Sequence, residues 1–209
     1  MTQTETFDVF TKEMIRLGTA SRQEVHAKGL WHQTFQCWIM KRDAAGEIYL
    51  LFQLRHKNKD VFPSLLDISC AGHLQAGEEV ADGVRELEEE LGLTVSIHDL
   101  TYCGRVAQEH VVSPELIDRE VNHVFLYECS SSLRDFRLQA EELSGLYWIG
   151  LRPFRELLNG ERDQLSACGI VLDEASGTLA DDQRSWRIEN FTPNSDEYYE
   201  LLFAKLGER

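Results

Sequence analysis

Proline is scarce in this chain, 4 in 209 residues, and glycine adds only 14. That excludes a collagen-like or linker-like polypeptide. Positive charge is also short: 21 Lys and Arg stand against 36 Asp and Glu, a formal charge of −15. So acidic a chain has no broad field for polyanions, and nucleic acid or an anionic membrane is not an expected partner. A small phosphate compound can still bind if a local device, such as a metal ion, offsets the charge. Long apolar runs are missing; Ile48 to Phe52 is among the longest, far below the ~20 residues of a membrane-spanning helix. No Lys or Arg precedes Lys12, so the basic start of a signal peptide and the Arg-rich character of a transit peptide are absent. The five cysteines, Cys37, Cys70, Cys103, Cys129 and Cys168, include no Cys-x-x-Cys pair. Reduced, mostly buried thiols in a cytoplasmic chain are therefore expected.

The length suits one domain with a sizeable core. We divide it into a core of about 31–160, a lead-in over 1–30, and a C-terminal insertion and helix over 161–209. Patterning predicts strands at Trp31 to Met40, at Glu47 to Arg55 after the turn Asp43-Ala44-Ala45-Gly46, and, short and buried, at Ser64 to Ser69. A loop, Ala71 to Gly77, should lead to a helix over Glu79 to Leu91 capped by Gly92. Further strands are expected at Thr94 to Ile97, Leu100 to Gln108, Val121 to Cys129 and Leu146 to Ile149. Short helices follow at Pro153 to Leu158 and Asp196 to Leu206, while polar Gly169 to Arg187 reads as an irregular insertion. Strands interleaved with helices argue for a mixed sheet covered by helices.

On the helix Glu79 to Leu91, Val80, Val84, Leu87 and Leu91 form one apolar stripe. The opposite face carries Asp82, Glu86, Glu89 and Glu90. The last three converge at helical spacing, at a cost of a few tenths of a kcal/mol per pair, which burial of four aliphatics outweighs at roughly 1.5–3 kcal/mol each. On spacing alone this is either a solvated acidic face or a site for Mg²⁺ or Mn²⁺, since hard cations take oxygen ligands and leave positions for water and phosphate.

The surrounding residues favour the second reading. Gly72, five residues, Glu78, six residues, then Arg85-Glu86-Leu87-x-Glu89-Glu90-x-Gly92-Leu93 resembles the Nudix box, Gly-x5-Glu-x7-Arg-Glu-U-x-Glu-Glu-x-Gly-U with U aliphatic. Average composition would produce this set on the order of 10⁻⁹ times per start position. The spacer between Glu78 and Arg85 is one residue short of the family pattern, which leaves the placement of Glu78 open. The resemblance implies an α+β Nudix fold: a mixed β-sheet sandwiched between α-helices, with the box as loop–helix–loop. It also implies metal-dependent cleavage of a diphosphate linkage in a small nucleoside-diphosphate-X-type compound. Glu86, Glu89 and Glu90 would hold the cation, with the carbonyl of Ala71 as a further ligand and Arg85 orienting the carboxylates. Gly72 and Gly77 would allow close backbone approach, and His73, beside the box, would contact substrate together with Gly72.

Phe7-Asp8-Val9-Phe10, Leu17-Gly18, Arg22 to His26, Gly29-Leu30-Trp31-His32, Asp67-Ile68-Ser69, Ala71-Gly72-His73 and Asp118-Arg119-Glu120-Val121 are similar to the branch that contains isopentenyl-diphosphate isomerase. Those isomerases hold a metal at positions matching His26, His32, His73, Asp118 and Glu120. Their catalytic cysteine, however, falls at Ala71; Cys70 is one residue off, and in a strand that points to the other face. Hydrolysis is therefore the expected reaction, with isomerisation and a non-catalytic binding module as the alternatives. For the base, Glu120 is preferred over Glu109, Glu141 and Glu142. Selectivity is expected from Lys57 to Ser64, Glu109 to Arg119 and Gly169 to Arg187. The group X and the oligomeric state, a homodimer included, stay open.

Overall fold

The structure, a computed structural model, describes residues 5–207. Strands β1 (Thr6–Phe10) and β2 (Arg16–Ser21) form an antiparallel ribbon that runs into helix α1 (Arg22–Lys28). The Ser21 hydroxyl caps α1 by accepting from the Glu24 N–H, and Gly29 ends it at φ 59°. The main sheet then begins with β3 (His32–Arg42), β4 (Ile48–Arg55), β5 (Leu66–Asp67) and β6 (Cys70–His73). Helix α2 (Arg85–Leu91), β7 (Thr101–Ser113), β8 (Leu116–Glu128) and β9 (Leu143–Gly150) follow. Helix α3 (Leu151–Leu158), the hairpin β10 (Leu165–Asp173) and β11 (Thr178–Trp186), and helix α4 (Asp196–Leu206) complete the order.

The sheet runs β11-β10-β9-β4-β3-β8-β7, with β5 added on β4 and β6 on β3. It is mixed, because β3 and β8 are parallel and the other pairs antiparallel. Alternation along β3 separates its two faces. Phe35, Cys37 and Ile39 pack toward α2 with Leu87 and Leu91. Trp38 and Met40 pack toward α3 and α4 with Phe154, Tyr198 and Leu202. Both faces are thus covered, as an α+β Nudix sandwich requires. Trp38 Nε1 donates to the Tyr198 hydroxyl at 3.0 Å and fastens α4 to the sheet.

One break in the sheet positions everything that follows. β3 and β4 pair only through Met40–Leu50, Lys41–Tyr49 and Arg42–Ile48. Beyond that they part: β4 takes β5 as its neighbour and β3 takes β6. A wedge opens between β5 and β6, and residues from both line a cavity there.

Several expectations are corrected. The predicted thirteen-residue helix is a 3-10 turn over Val80–Val84 followed by α-helix over only Arg85–Leu91. The predicted loop from Ala71 contains strand β6, because Thr34 to Cys37 of β3 offer it a free edge. No strand forms at Thr94 to Ile97; a capping box at Ser96 turns the chain into a 3-10 segment over Ile97–Asp99. The supposed irregular insertion is the regular hairpin β10–β11, paired from Leu165–Trp186 to Asp173–Thr178. Its alternation was masked because β11 is an edge strand with polar residues on both faces, a common protection against edge pairing.

Gly83 shows how tightly the box is seated. A Cβ at this position would collide with Phe35 Cβ and its ring, all rigid and fully buried. Gly83→Ala is expected to lower stability by about 1–3 kcal/mol through overpacking, read as a drop in the denaturant midpoint. An unchanged midpoint would show that the 3-10 turn is free to lift off β3.

Candidate active site

The box closes around Arg85. Its Nε and Nη2 donate to Glu78 Oε1 and Oε2 at 2.7 and 3.0 Å, a bidentate pair. Its Nη1 donates to Glu86 Oε1 at 2.5 Å and Glu89 Oε2 at 3.2 Å, and Nη2 also reaches the His73 carbonyl at 3.1 Å. Glu78 thus keeps its partner although the spacer is one residue short. A 3-10 turn rises about 2.0 Å per residue against about 1.5 Å in an α-helix, so Val80–Val84 covers the distance with one residue fewer.

The three carboxylates sit at different depths. Glu89 is exposed, Glu86 is half-buried and Glu90 is only 5% exposed. Glu90 is therefore not on a solvated face: strand β6 lies beside the helix, and the Glu90 carboxylate accepts from the Ala71 N–H at 3.4 Å. Gly72 allows this approach, since a Cβ there would overlap the Glu86 carboxylate. Burial pushes Glu86 up to about 7, with Glu89 adding to the rise against the pull of Arg85. Burial, then the Glu86 charge, pushes Glu90 up to about 8.

A second cluster faces the same cavity. Ligand atoms of His26, His32, His73 and Asp118 all lie within 4.8 Å of one another. His26 Nε2 and His32 Nε2 stand 3.6 and 3.8 Å from Asp118 Oδ1, and His73 Nε2 stands 3.4 Å from Glu120 Oε1. Parallel pairing produces this gathering, because β3 sets His32 opposite Glu120 of β8. His32 Nδ1 donates to the Leu30 carbonyl at 3.1 Å, so its Nε2 lone pair points into the cluster. His32 Nε2, His73 Nε2 and Asp118 Oδ1 are buried without a hydrogen-bond partner. Orphaned acceptors of this kind call for a partner. Nitrogen and oxygen donors at about 2.0–2.2 Å from a tetrahedral cation stand about 3.4 Å apart, close to the spacing seen. Burial, aided by the neighbouring imidazole, lowers His32 to about 4; burial, then the Arg22 charge, lowers His73 to about 3. Both are neutral and ligand-competent at pH 7. Glu120 is pushed up to about 8 by burial and by Asp118.

The cavity is about 250 Å³. Every residue expected at the site lines it or faces the cluster on its wall: Ala71, Gly72, His73, Arg85, Glu86, Glu89, Glu90 and Glu120. Lys59 to Phe62 line it together with His110 of β7 and Leu116 of β8, and the Phe62 and His110 rings meet edge to face at 5.3 Å. Residues 169–187 do not reach it; Thr192, Pro193 and Asn194 do, held by the Thr192 hydroxyl donating to Asp67 and the Gln108 amide donating to Asn194. No pattern in the sequence marked this stretch. Glu109 is paired with Arg119 and Glu142 with Lys59, while Cys70 is fully buried among residues of the α2 face and does not line the cavity.

These shifts set the pH dependence of the metal-free fold. Glu86, Glu90 and Glu120 have folded values above the unfolded 4.5, so their stabilisation is complete at low pH and lost as pH rises through about 7–8. The two imidazoles lie below the unfolded 6.5, so theirs is present above pH 6.5 and lost on acidification. With chelator present, the melting temperature is therefore expected to fall between pH 6.5 and 8.5, where the carboxylates titrate and the buried thiols of Cys37, Cys70 and Cys103, held up by burial, act in the same direction. A rise across that interval would contradict the burial of these acids.

Sequence comparison agrees with this architecture. The NUDIX domain model matches residues 31–167. An uncharacterised Nudix hydrolase of Clostridium acetobutylicum is 35% identical over 202 residues, 97% of each chain. Nudix hydrolase 3 of Arabidopsis thaliana is 35% identical over 162 residues, 75% of this chain but 21% of its own. Isopentenyl-diphosphate Delta-isomerase 2 of Photorhabdus laumondii is 29% identical over 149 residues, 70% of this chain and 78% of its own. A MutT/nudix family protein from Enterococcus faecalis shares the fold at TM-score 0.55 with 14% identity, covering 84% of this chain and 61% of its own. The chain belongs to the Nudix hydrolase family. Among the described residues no helix is long and apolar enough to cross a membrane.

Proposed function

We propose that this cavity hydrolyses the diphosphate linkage of a small, polar, nucleoside-diphosphate-X-type compound with Mg²⁺ or Mn²⁺. The observation that carries the reading is the complete set Glu86, Glu89 and Glu90, braced by Arg85, in one cavity with the imidazole–carboxylate cluster. The donor chemistry fits two kinds of cation. The box offers oxygen alone and suits Mg²⁺; the cluster offers three imidazoles and a carboxylate and suits a transition metal. Divalent cations there supply neutralisation of phosphate charge and a more acidic water.

The chain's own residues do the rest. Arg85 orients Glu86 and Glu89 by direct ion pairs. Glu120, which lines the cavity 3.4 Å from His73 Nε2, is the base for the attacking water. Arg55 and Lys59 bring positive charge to the cavity lining, each held by a carboxylate, Asp67 and Glu142.

Isomerisation is disfavoured by Ala71, which has no proton to exchange, and by Cys70, whose thiol burial holds far above its ordinary value on the other face of β6. The lining is also mostly carboxylate, amide, imidazole and cation, with Val61, Phe62 and Leu116 among its few apolar members. A prenyl chain would find little apolar wall there. The test is a panel of nucleotide sugars, dinucleotides, nucleoside triphosphates and isopentenyl diphosphate, each with Mg²⁺ or Mn²⁺. Cleavage of a member of the first three groups is expected, and no interconversion of isopentenyl and dimethylallyl diphosphate. Robust isomerase turnover would overturn the reading.

A further inference from the structure

The N-terminal ribbon and α1 share only Phe7, Val9, Ala20 and Val25 as buried apolar residues. So small a core cannot hold residues 5–30 in shape by itself. The module leans on β8, where Arg119 donates to the Gly29 carbonyl at 3.0 Å, and on the imidazoles. Phe7, fully buried, lies parallel to two of them at once: 4.7 Å from His73 at 10° and 5.3 Å from His32 at 12°, centroid to centroid. His32 and His73 are themselves 5.1 Å apart at 23°. The three rings form a triangular slab, and His26, carried on α1, meets it edge-on at 5.5 and 5.8 Å. The strand bearing Phe7 is pinned on both sides: the Ala76 N–H donates to the Thr6 carbonyl at 2.8 Å, and the Gly77 N–H to Asp8 Oδ2 at 3.1 Å.

The two imidazoles differ in what else holds them. His32 has the Leu30 carbonyl on its Nδ1. Among the described residues no hydrogen bond holds Nδ1 of His73, so its ring plane is set by the slab. Convergence of His32 Nε2, His73 Nε2 and Asp118 Oδ1 needs both planes fixed, and a dry apolar ring on one side keeps water from competing for them.

We infer that Phe7 is a positioning residue for the imidazole–carboxylate cluster, and that the N-terminal module exists at this place to complete that cluster with Phe7 and His26. The inference rests on the reading that the cluster holds a cation. Phe7→Leu keeps an apolar, buried side chain and removes the ring. It should weaken Zn²⁺ binding about 10–100-fold, the usual loss when an outer-shell partner is removed. It should also change the visible spectrum of Co²⁺ bound at the same place, while the metal-free protein still folds, with a melting temperature lowered by the lost packing of a fully buried ring.

The full-length protein is titrated with Zn²⁺ by calorimetry and with Co²⁺ by absorbance, for wild type, Phe7→Leu, Phe7→Met and His73→Ala. Phe7→Met, flexible and similar in volume, repeats the test if Leu does not pack. Weakened Zn²⁺ binding and an altered Co²⁺ spectrum in the Phe7 variants, with His73→Ala weaker still, support the inference. Wild-type affinity and spectrum in either Phe7 variant overturn it. A wild-type Co²⁺ spectrum untouched by His73→Ala would instead remove the cation from the cluster, and with it the reading beneath.

Discussion

Glu90→Gln will lower kcat/KM by roughly a thousandfold, about 4 kcal/mol of transition-state stabilisation, and will not unfold the protein. Glu90 is the deepest of the three box carboxylates, 5% exposed and set against the Ala71 backbone. A carboxylate at that depth cannot be replaced by a water swinging in from solvent. Glutamine keeps the shape and an oxygen acceptor but loses the charge that attracts the cation. Burial and Glu86 already hold the Glu90 carboxyl up to about 8, so the variant also removes a charge that the metal-free fold carries badly in alkaline solution. Its melting temperature in chelator should match wild type near pH 6, where Glu90 is protonated, and exceed it at pH 9. Steady-state kinetics on whichever panel compound is cleaved, with melting curves at the two pH values, check both halves. Full activity in a folded Glu90→Gln protein would remove Glu90 from the site.

Gly72→Ala should give a comparable loss of turnover, on the order of a hundredfold, by a different route. The added methyl would occupy the place of the Glu86 carboxylate. That carboxylate is the far end of a flexible side chain, so it swings aside instead of breaking the fold. The outcome contrasts with Gly83→Ala, where the obstacle is the rigid Phe35. Gly72→Ala should therefore keep its denaturant midpoint and lose activity, with the loss concentrated in kcat as Glu86 leaves Arg85 and the cation. A Gly72→Ala protein with wild-type kcat would mean that Glu86 does not need its place over β6.

The parts of this molecule that the sequence displays are those with local cause. Arg85, Glu86, Glu89 and Glu90 share one helix and Gly72 lies in the strand shortly before it, so their spacing reveals their meeting. The β3 strand and the helix end at Gly92 follow from patterning and a φ of 66° that glycine alone takes easily. The depth of Glu90 was hidden, because a helix wheel does not know that β6 lies beside its polar face. The pairing of His32 with Glu120 joins positions 88 apart through a parallel register, and no local pattern encodes register between distant strands. The similarity to isomerases brought His26, His32, His73, Asp118 and Glu120 to notice; their convergence with orphaned acceptors came only from the fold. Thr192 to Asn194 had neither kind of signal, since they reach the cavity through the bridge between Leu66 and Phe191.

Glu86, Glu89 and Glu90 are proposed to gather a divalent cation in this cavity. Thermal melting with increasing Mg²⁺, for wild type and for the Glu86→Gln, Glu89→Gln, Glu90→Gln triple variant, tests it without a substrate. Mg²⁺ is the suitable ion because it prefers oxygen ligands over the imidazole cluster. A cation that binds only the native state should stabilise it by about 2.7 kcal/mol at a hundredfold excess over its dissociation constant. The melting temperature of wild type should rise steadily with Mg²⁺, and that of the triple variant should not. Equal rises in the two proteins would place the cation elsewhere on this acidic surface and contradict this assignment.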